Sequence, residues 1–108
     1  MSETGGTKHD NGKPPLDLLP TQPLLDIARV MDFGARKYSR HNWRAGIDYS
    51  RVMAAALRHL YAFNDGEDLD PETSLSHLAH AGCCVLFLLE YTRTHPERDD
   101  RYKAKGAA

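Results

Sequence analysis

The stretch from Arg58 to His80 holds three of the chain's six histidines, His59, His77 and His80, together with five carboxylates, Asp65, Glu67, Asp68, Asp70 and Glu72. Imidazole nitrogens and carboxylate oxygens that converge on one helical cleft suit a divalent cation. His77 and His80 are three residues apart, so on a helix their side chains are neighbours on one face. Cys84 continues that face, although a thiolate is the poorer match to a site rich in oxygen. Glu67 and Asp70 lie close enough in a turn to serve the same ion or a second one. A plainer explanation uses the same residues. Asp70 and Glu72 act as cap and dipole partners of a helix, Asp65 and Asp68 are solvated turn residues, and the histidines are hydrogen-bonded at a helix interface.

A segment of opposite charge precedes this one. From Arg36 to Arg51 five basic residues (Arg36, Lys37, Arg40, Arg44, Arg51) accompany one acid, Asp48, whereas from Arg58 to His80 Arg58 is the one base among five acids. Such charges in a loop often simply face water. Side by side, however, a cationic and a metal-competent acidic segment meet the needs of a metal–polyphosphate substrate. Divalent ions bridge the phosphates to carboxylates, while Lys and Arg hold the remaining oxygens. Trp43, the only tryptophan, and Tyr38 serve either as core or as platforms for a base. Other chemistries lack their residues: there is no Gly-x-x-x-x-Gly-Lys phosphate loop, no Gly-x-Ser-x-Gly elbow and no Cys-x-x-Cys pair.

The elements that must position these groups are helical. Thr21 is a good N-cap with Pro23 in the first turn, and Leu24, Ile27, Ala28, Met31 and Ala35 recur at helical spacing as far as Tyr38. Gly34 lies inside this pattern, where it either allows a close helix contact or marks a weak point. Residues 39–50 lack periodicity and form a connector. Ser50 is expected to cap a second helix from Arg51 to about Phe63, ended by Gly66; Ala54, Ala55, Ala56 and Ala62 let another helix approach. Asp70 as N-cap and Pro71 at the first helical position predict a third helix reaching about Arg93, stopped by His95-Pro96. From Ala81 to Leu89 that helix is apolar all round and must be covered on every side. Two helices from one short chain struggle to do this, which predicts association between subunits, with the third helix near the centre.

The expected fold is therefore all-α, a bundle of about three main helices completed by homo-oligomerisation as a dimer or tetramer. Residues 1–12 are polar and glycine-rich and are expected to form a disordered tail. Residues 13–94 form the helical domain, with 13–20 as an extended arm whose Leu16, Leu18 and Leu19 need burial on the helical body or on a neighbouring subunit. Residues 95–108 form a solvated tail. The 108 residues allow one domain, and a formal net charge of −1 gives no case for nucleic acid or an anionic membrane as partner. The first residues show no basic stretch followed by an apolar run, so no signal peptide is expected, and the longest apolar run is too short to span a bilayer. Cys83 and Cys84 are adjacent and point about 100° apart on a helix, so a disulfide is not expected and the chain fits a cytoplasmic setting.

Several pieces in fixed order resemble one family. They are Lys8-x-Asp10-x-x-Lys13-Pro14-Pro15-Leu16-Asp17-Leu18-Leu19-Pro20, Phe33-Gly34-Ala35-x-Lys37-Tyr38, Asn42-Trp43-Arg44-x-Gly46, Ala56-Leu57-Arg58-His59-Leu60, Gly66-Glu67-Asp68-x-Asp70-Pro71-Glu72 and His77-Leu78-Ala79-His80-Ala81. Together they resemble the phage dATP/dGTP diphosphohydrolase (N-terminal domain) family, set near the MazG-like all-α nucleotide pyrophosphohydrolases. The resemblance implies metal-dependent hydrolysis of a purine deoxynucleoside triphosphate to the monophosphate and pyrophosphate, in phage remodelling of the nucleotide pool within a host cell. MazG-like proteins hold metal with Glu-x-x-Glu and Glu-x-x-Asp, whereas this chain has Arg58-His59 and His77-x-x-His80. That substitution leans toward manganese, cobalt, nickel or zinc over magnesium, which stays compatible. The resemblance also implies a glycine where Ser74 stands and an asparagine where Cys84 stands.

On this basis His59, Glu67, Asp70, His77 and His80 are the expected metal ligands, with Glu67 and Asp70 catalytic. Lys13, Lys37 and Arg44 are expected on phosphate oxygens, Asn42 and Trp43 on sugar or base, and Tyr38 and Arg58 elsewhere in the substrate site. The alternative is a non-catalytic nucleotide-binding protein, a sponge or regulator, using the same cleft.

Overall fold

The computed structural model describes residues 5–104. Among them are three α-helices, α1 (Thr21–Lys37), α2 (Tyr49–Asn64) and α3 (His77–Thr94), with 3-10 turns at Leu16–Leu18, Asn42–Ala45 and Pro96–Arg98. The β structure in these residues is a single isolated bridge between Leu69 and Ser76. The fold is a small all-α bundle.

α3 is the helix on which the other two pack. On the α1 side Val30, Ala79 and Cys83 are buried, with Ile27, Met31, Leu75 and Phe87 against them. Gly82 permits this approach, since a Cβ there would stand 2.9 Å from the Ile27 side chain. On the α2 side the buried residues are Tyr49, Val52 and Tyr91. The Tyr49 hydroxyl donates to the Tyr91 carbonyl at 2.9 Å, and Tyr91, fully buried, donates to the Trp43 carbonyl at 2.6 Å. Because the start of α2 meets the end of α3, the two run antiparallel, and the end of α2 meets the start of α3.

The helix ends correct the sequence in detail. Pro20 rather than Thr21 occupies the cap position of α1. α2 begins at Tyr49 after Asp48, so Ser50 lies inside the helix, where its N–H and hydroxyl donate to Asp100. Gly66 follows the end of α2 with φ +99°, the conformation expected of it. The largest correction concerns α3, which starts at His77 with Ser76 as its cap and not at Asp70. Asp70 does cap, but what it caps is a short turn. Its Oδ1 accepts from the N–H groups of Glu72 and Thr73 at 2.8 and 3.0 Å. Ser74, at φ +60°, then turns the chain out of helical geometry.

α1 and α2 cover two sides of α3, and on the remaining side Val85, Leu86 and Leu89 are exposed. The arm is ordered into its 3-10 turn, but Leu16, Leu18 and Leu19 are exposed and not buried on this chain's own helices. After α3 the chain packs back on the start of α2: Arg98 pairs with Asp48 at 3.3 Å, next to the Asp100–Ser50 bonds. The expected tails extend past the described residues, at 1–4 and 105–108. Among the described residues no helix is long and apolar enough to cross a membrane.

Candidate functional site

Where the end of α2 meets the start of α3, three side chains from three elements converge. His59 comes from α2, His77 is the first residue of α3, and Asp70 comes from the loop between them; one ligand atom from each lies within 4.8 Å of the others. Ser76 sets the helix start, its Oγ accepting from the N–H groups of Leu78 and Ala79. The loop is pinned by backbone bonds from Asp70 N–H to Leu75 C=O at 2.8 Å and from His77 N–H to Asp68 C=O at 2.9 Å. With Oδ1 of Asp70 engaged by amides, Oδ2 is left facing His59 Nδ1 at 3.9 Å.

The Nδ1 atoms of His59 and His77 face each other at 2.9 Å. The other nitrogen of His77, Nε2, lies 2.6 Å from Glu67 Oε1. A carboxylate accepts only, so Nε2 carries the proton and the Nδ1 of a neutral His77 is a bare lone pair. Two nitrogens bound to one ion at about 2.1 Å sit roughly 3.0–3.4 Å apart, close to the spacing seen. Two imidazoles and a carboxylate therefore form a donor set that fits a divalent ion accepting nitrogen.

Protonation favours the same use. Burial lowers the pKa of His59, helped by the neighbouring His80 and His77. Burial likewise lowers that of His80, against the opposing pull of Asp70. Burial pushes the pKa of Asp70 up, but the amides of Thr73 and Glu72 and the nearby imidazoles prevail, holding it below the usual carboxylate range. The lowered pKa values of His59 and Asp70 thus favour a neutral imidazole beside an ionised carboxylate, the forms that bind metal.

The expected ligands separate into two layers. Glu67 reaches the far side of the His77 ring rather than the convergent atoms, as an orienting partner does. His80 stacks on His59 at 4.4 Å between ring centres, with its Nε2 2.7 Å from Thr73 Oγ1. Thr73, which also touches Asp70, was not foreseen; its place two residues after Pro71 carries no signal of its own.

Beside the cluster, and sharing His80 with it, lies a cleft of about 250 Å³ between the end of α1, the connector and α3. Lys37, Tyr38, Asn42 and Trp43 line it, with Cys83, Cys84 and Phe87 of α3 as its far wall. Lys37 Nζ is 3.4 Å from Glu72, which raises its pKa and ties the basic segment to the acidic loop. Trp43 stacks on Phe87 at 4.4 Å, and the Arg44 guanidinium lies 4.6 Å from its ring centre. It is a wall of the cleft more than a free stacking platform. Arg44 and Arg58 line other grooves, and Lys13 stays on the exposed arm, apart from this cleft.

The connector is suspended from the end of α3. Tyr91 holds the Trp43 carbonyl, and His95 Nε2 lies 2.7 Å from the Arg44 carbonyl. Gly46 lets the His95 ring in, since a Cβ there would be 3.0 Å from His95 Nδ1. The sequence holds a signal for this: 77, 80, 84, 91 and 95 share one helical stripe, so His95 both stops the helix and continues its face.

The molecule is thus an all-α bundle with a histidine–carboxylate cluster and a lined cleft at its side. Residues 3–101 match the family described as dATP/dGTP diphosphohydrolase, N-terminal, and the chain belongs to that family. A dATP/dGTP diphosphohydrolase from Salmonella phage PMBT28 is 38% identical over 96 residues, covering 89% of this chain and 33% of that protein. The chain spans about a third of the length of the curated relative it matches. No solved structure matches it.

Proposed function

We propose that this chain hydrolyses a purine deoxynucleoside triphosphate, dGTP or dATP, to the monophosphate and pyrophosphate with the help of a divalent ion, as part of phage nucleotide-pool remodelling. The observation that carries this reading is the convergence of His59 Nδ1, His77 Nδ1 and Asp70 beside a cleft bordered by Lys37. Family membership supports the substrate class. A divalent ion held by His59, Asp70 and His77 would neutralise phosphate charge and make a water more acidic, with manganese, cobalt, nickel or zinc favoured over magnesium by the imidazoles.

The chain's own residues have separable tasks. Asp70, kept ionised by two amides, is a fixed anionic ligand. Glu67 holds the His77 ring in place and, being 54% exposed at its side chain, can accept the proton of the attacking water. Lys37 exchanges Glu72 for a phosphate oxygen of the substrate. Water adds in line to the α-phosphorus and the bond to the bridging oxygen breaks, releasing pyrophosphate. The exposed Val85, Leu86 and Leu89 of α3 and the leucines of the arm support a homo-oligomer, dimer or tetramer.

A second reading stands beside it. The same cleft and cluster would also serve a module that captures the nucleotide without cutting it. Purified protein incubated with dGTP or dATP and each of the five metals, followed by ion-exchange chromatography, separates the two. The expected products are monophosphate and pyrophosphate. Nucleotide bound but recovered intact under every metal would establish the binding module, and neither binding nor cleavage would end both readings.

A further inference from the structure

The two glycines inside helices α1 and α3 differ in what surrounds them. Gly82 has a packing reason, the Ile27 side chain that would meet its Cβ. Gly34 has none: among the described residues nothing lies within 4 Å of where its Cβ would be, so no neighbouring helix demands a glycine there. A glycine within a helix weakens it relative to alanine. What Gly34 does is line the cleft, on the wall contributed by α1 and together with Phe33. Its missing side chain leaves the space open.

The shape and chemistry of that space point to one part of a nucleotide. The walls are largely apolar: Val30, Phe33, Cys83 and Phe87 line it alongside Gly34. Its volume of about 250 Å³ falls just below the roughly 300–1,000 Å³ of sites that enclose drug-sized ligands. Lys37 and Arg40 also line the cleft, so the charged, hydrated triphosphate belongs at that basic edge, because desolvation against the apolar walls is costly. A flat heteroaromatic ring with polar edges is suited to them, with the Asn42 amide available to its edge. His80 belongs to both cleft and cluster, so a ring placed here directs its phosphates toward His59, Asp70 and His77.

We infer that the cleft walled by Gly34 is the nucleobase site, and that Gly34 is a specificity-determining residue because the absent side chain makes room for the purine ring. This inference rests on the nucleotide reading above and adds which end of the substrate enters where.

The test uses Trp43, the only tryptophan in the chain and part of the cleft wall, as its reporter. Deoxyguanosine and dGTP are expected to change its fluorescence saturably, whereas inorganic tripolyphosphate, which lacks a base, is not. Gly34→Leu is expected to keep the helical circular-dichroism spectrum and Mn²⁺ binding while weakening dGTP binding by at least about tenfold, with Gly34→Ala intermediate. No response to deoxyguanosine in the wild type, or an equal response to tripolyphosphate, would overturn the inference. So would dGTP affinity unchanged in folded Gly34→Leu. Should Gly34→Leu fail to fold, the wild-type titrations and Gly34→Ala decide. Saturable deoxyguanosine binding without any cleavage of dGTP would instead sink the hydrolase reading and leave the base site standing.

Discussion

Glu67→Gln separates the two roles a carboxylate can have at this cluster. Glu67 Oε1 accepts from His77 Nε2 at 2.6 Å, and His77 is 4% exposed. Glutamine preserves the shape and one acceptor oxygen but removes the charge that makes Nδ1 a stronger donor to an ion. Loss of such an orienting partner lowers metal affinity about 10–100-fold, or about 1.4–2.7 kcal/mol. Since half of the Glu67 side chain is in water, screening places the effect in the lower part of that range, about ten- to thirtyfold. Titration calorimetry with Mn²⁺ measures it directly, with His77→Ala as the variant that removes a ligand outright. Initial rates at saturating Mn²⁺ then isolate any role in proton transfer, where a deficit of about 10²-fold or more is expected. Metal affinity unchanged in Glu67→Gln would refute the orienting role. A loss as complete as that of His77→Ala would make Glu67 a direct ligand instead.

Three other outcomes test the frame around the site. Tyr91→Phe removes the hydroxyl that donates to the Trp43 carbonyl, which keeps the Gly46 N–H as a donor, and should cost about 0.5–1.5 kcal/mol, lowering Tm by about 4–8 °C per kcal/mol in a thermal melt. Ser74→Gly removes a side chain held at φ +60° and should stabilise by up to about 1 kcal/mol, the left-handed penalty less the added freedom of the unfolded glycine, measured by urea unfolding. His95 has an acceptor at each ring nitrogen, Glu97 at 2.8 Å and the Arg44 carbonyl, and these raise its pKa. Its contribution to stability is therefore full below about pH 6.5 and is lost as pH rises through the higher folded value. The gap in Tm between wild type and His95→Gln should narrow from pH 6 to pH 8, and a gap that widened would reverse the assignment.

What could be foreseen follows the range of the interactions. The stripe of α1, the alanines of α2 and the apolar run of α3 are local patterns, and they gave α1 and α2 within a few residues and the body of α3, though not its start. His59 facing His77 followed from two helices joined by a turn. The layering of the ligands did not, because which nitrogen of His77 meets Glu67 depends on ring orientation, fixed by packing rather than by spacing. The connector was opaque for a similar reason. Its hold on α3 consists of side-chain bonds to carbonyls about fifty residues away, and a carbonyl looks the same in every sequence.

The misplaced start of α3 bears most directly on function. Asp70-Pro71-Glu72 has the full chemistry of a helix start, and so does Ser76; local preference does not decide between them. The decision comes from backbone pairing across the loop, Asp70 with Leu75 and His77 with Asp68, together with the bridge between Leu69 and Ser76. Had the helix begun at Asp70, seven residues would separate it from His77 along one axis, about 10 Å, too far for a carboxylate and an imidazole to share one ion. Only because the chain spends those residues on a turn that folds back does Asp70 return to the side of His59. The residues that defeat the helical signal are the ones that bring the candidate ligands together, so a substitution that lets the helix extend to Asp70 would dismantle the cluster without touching any of its three members.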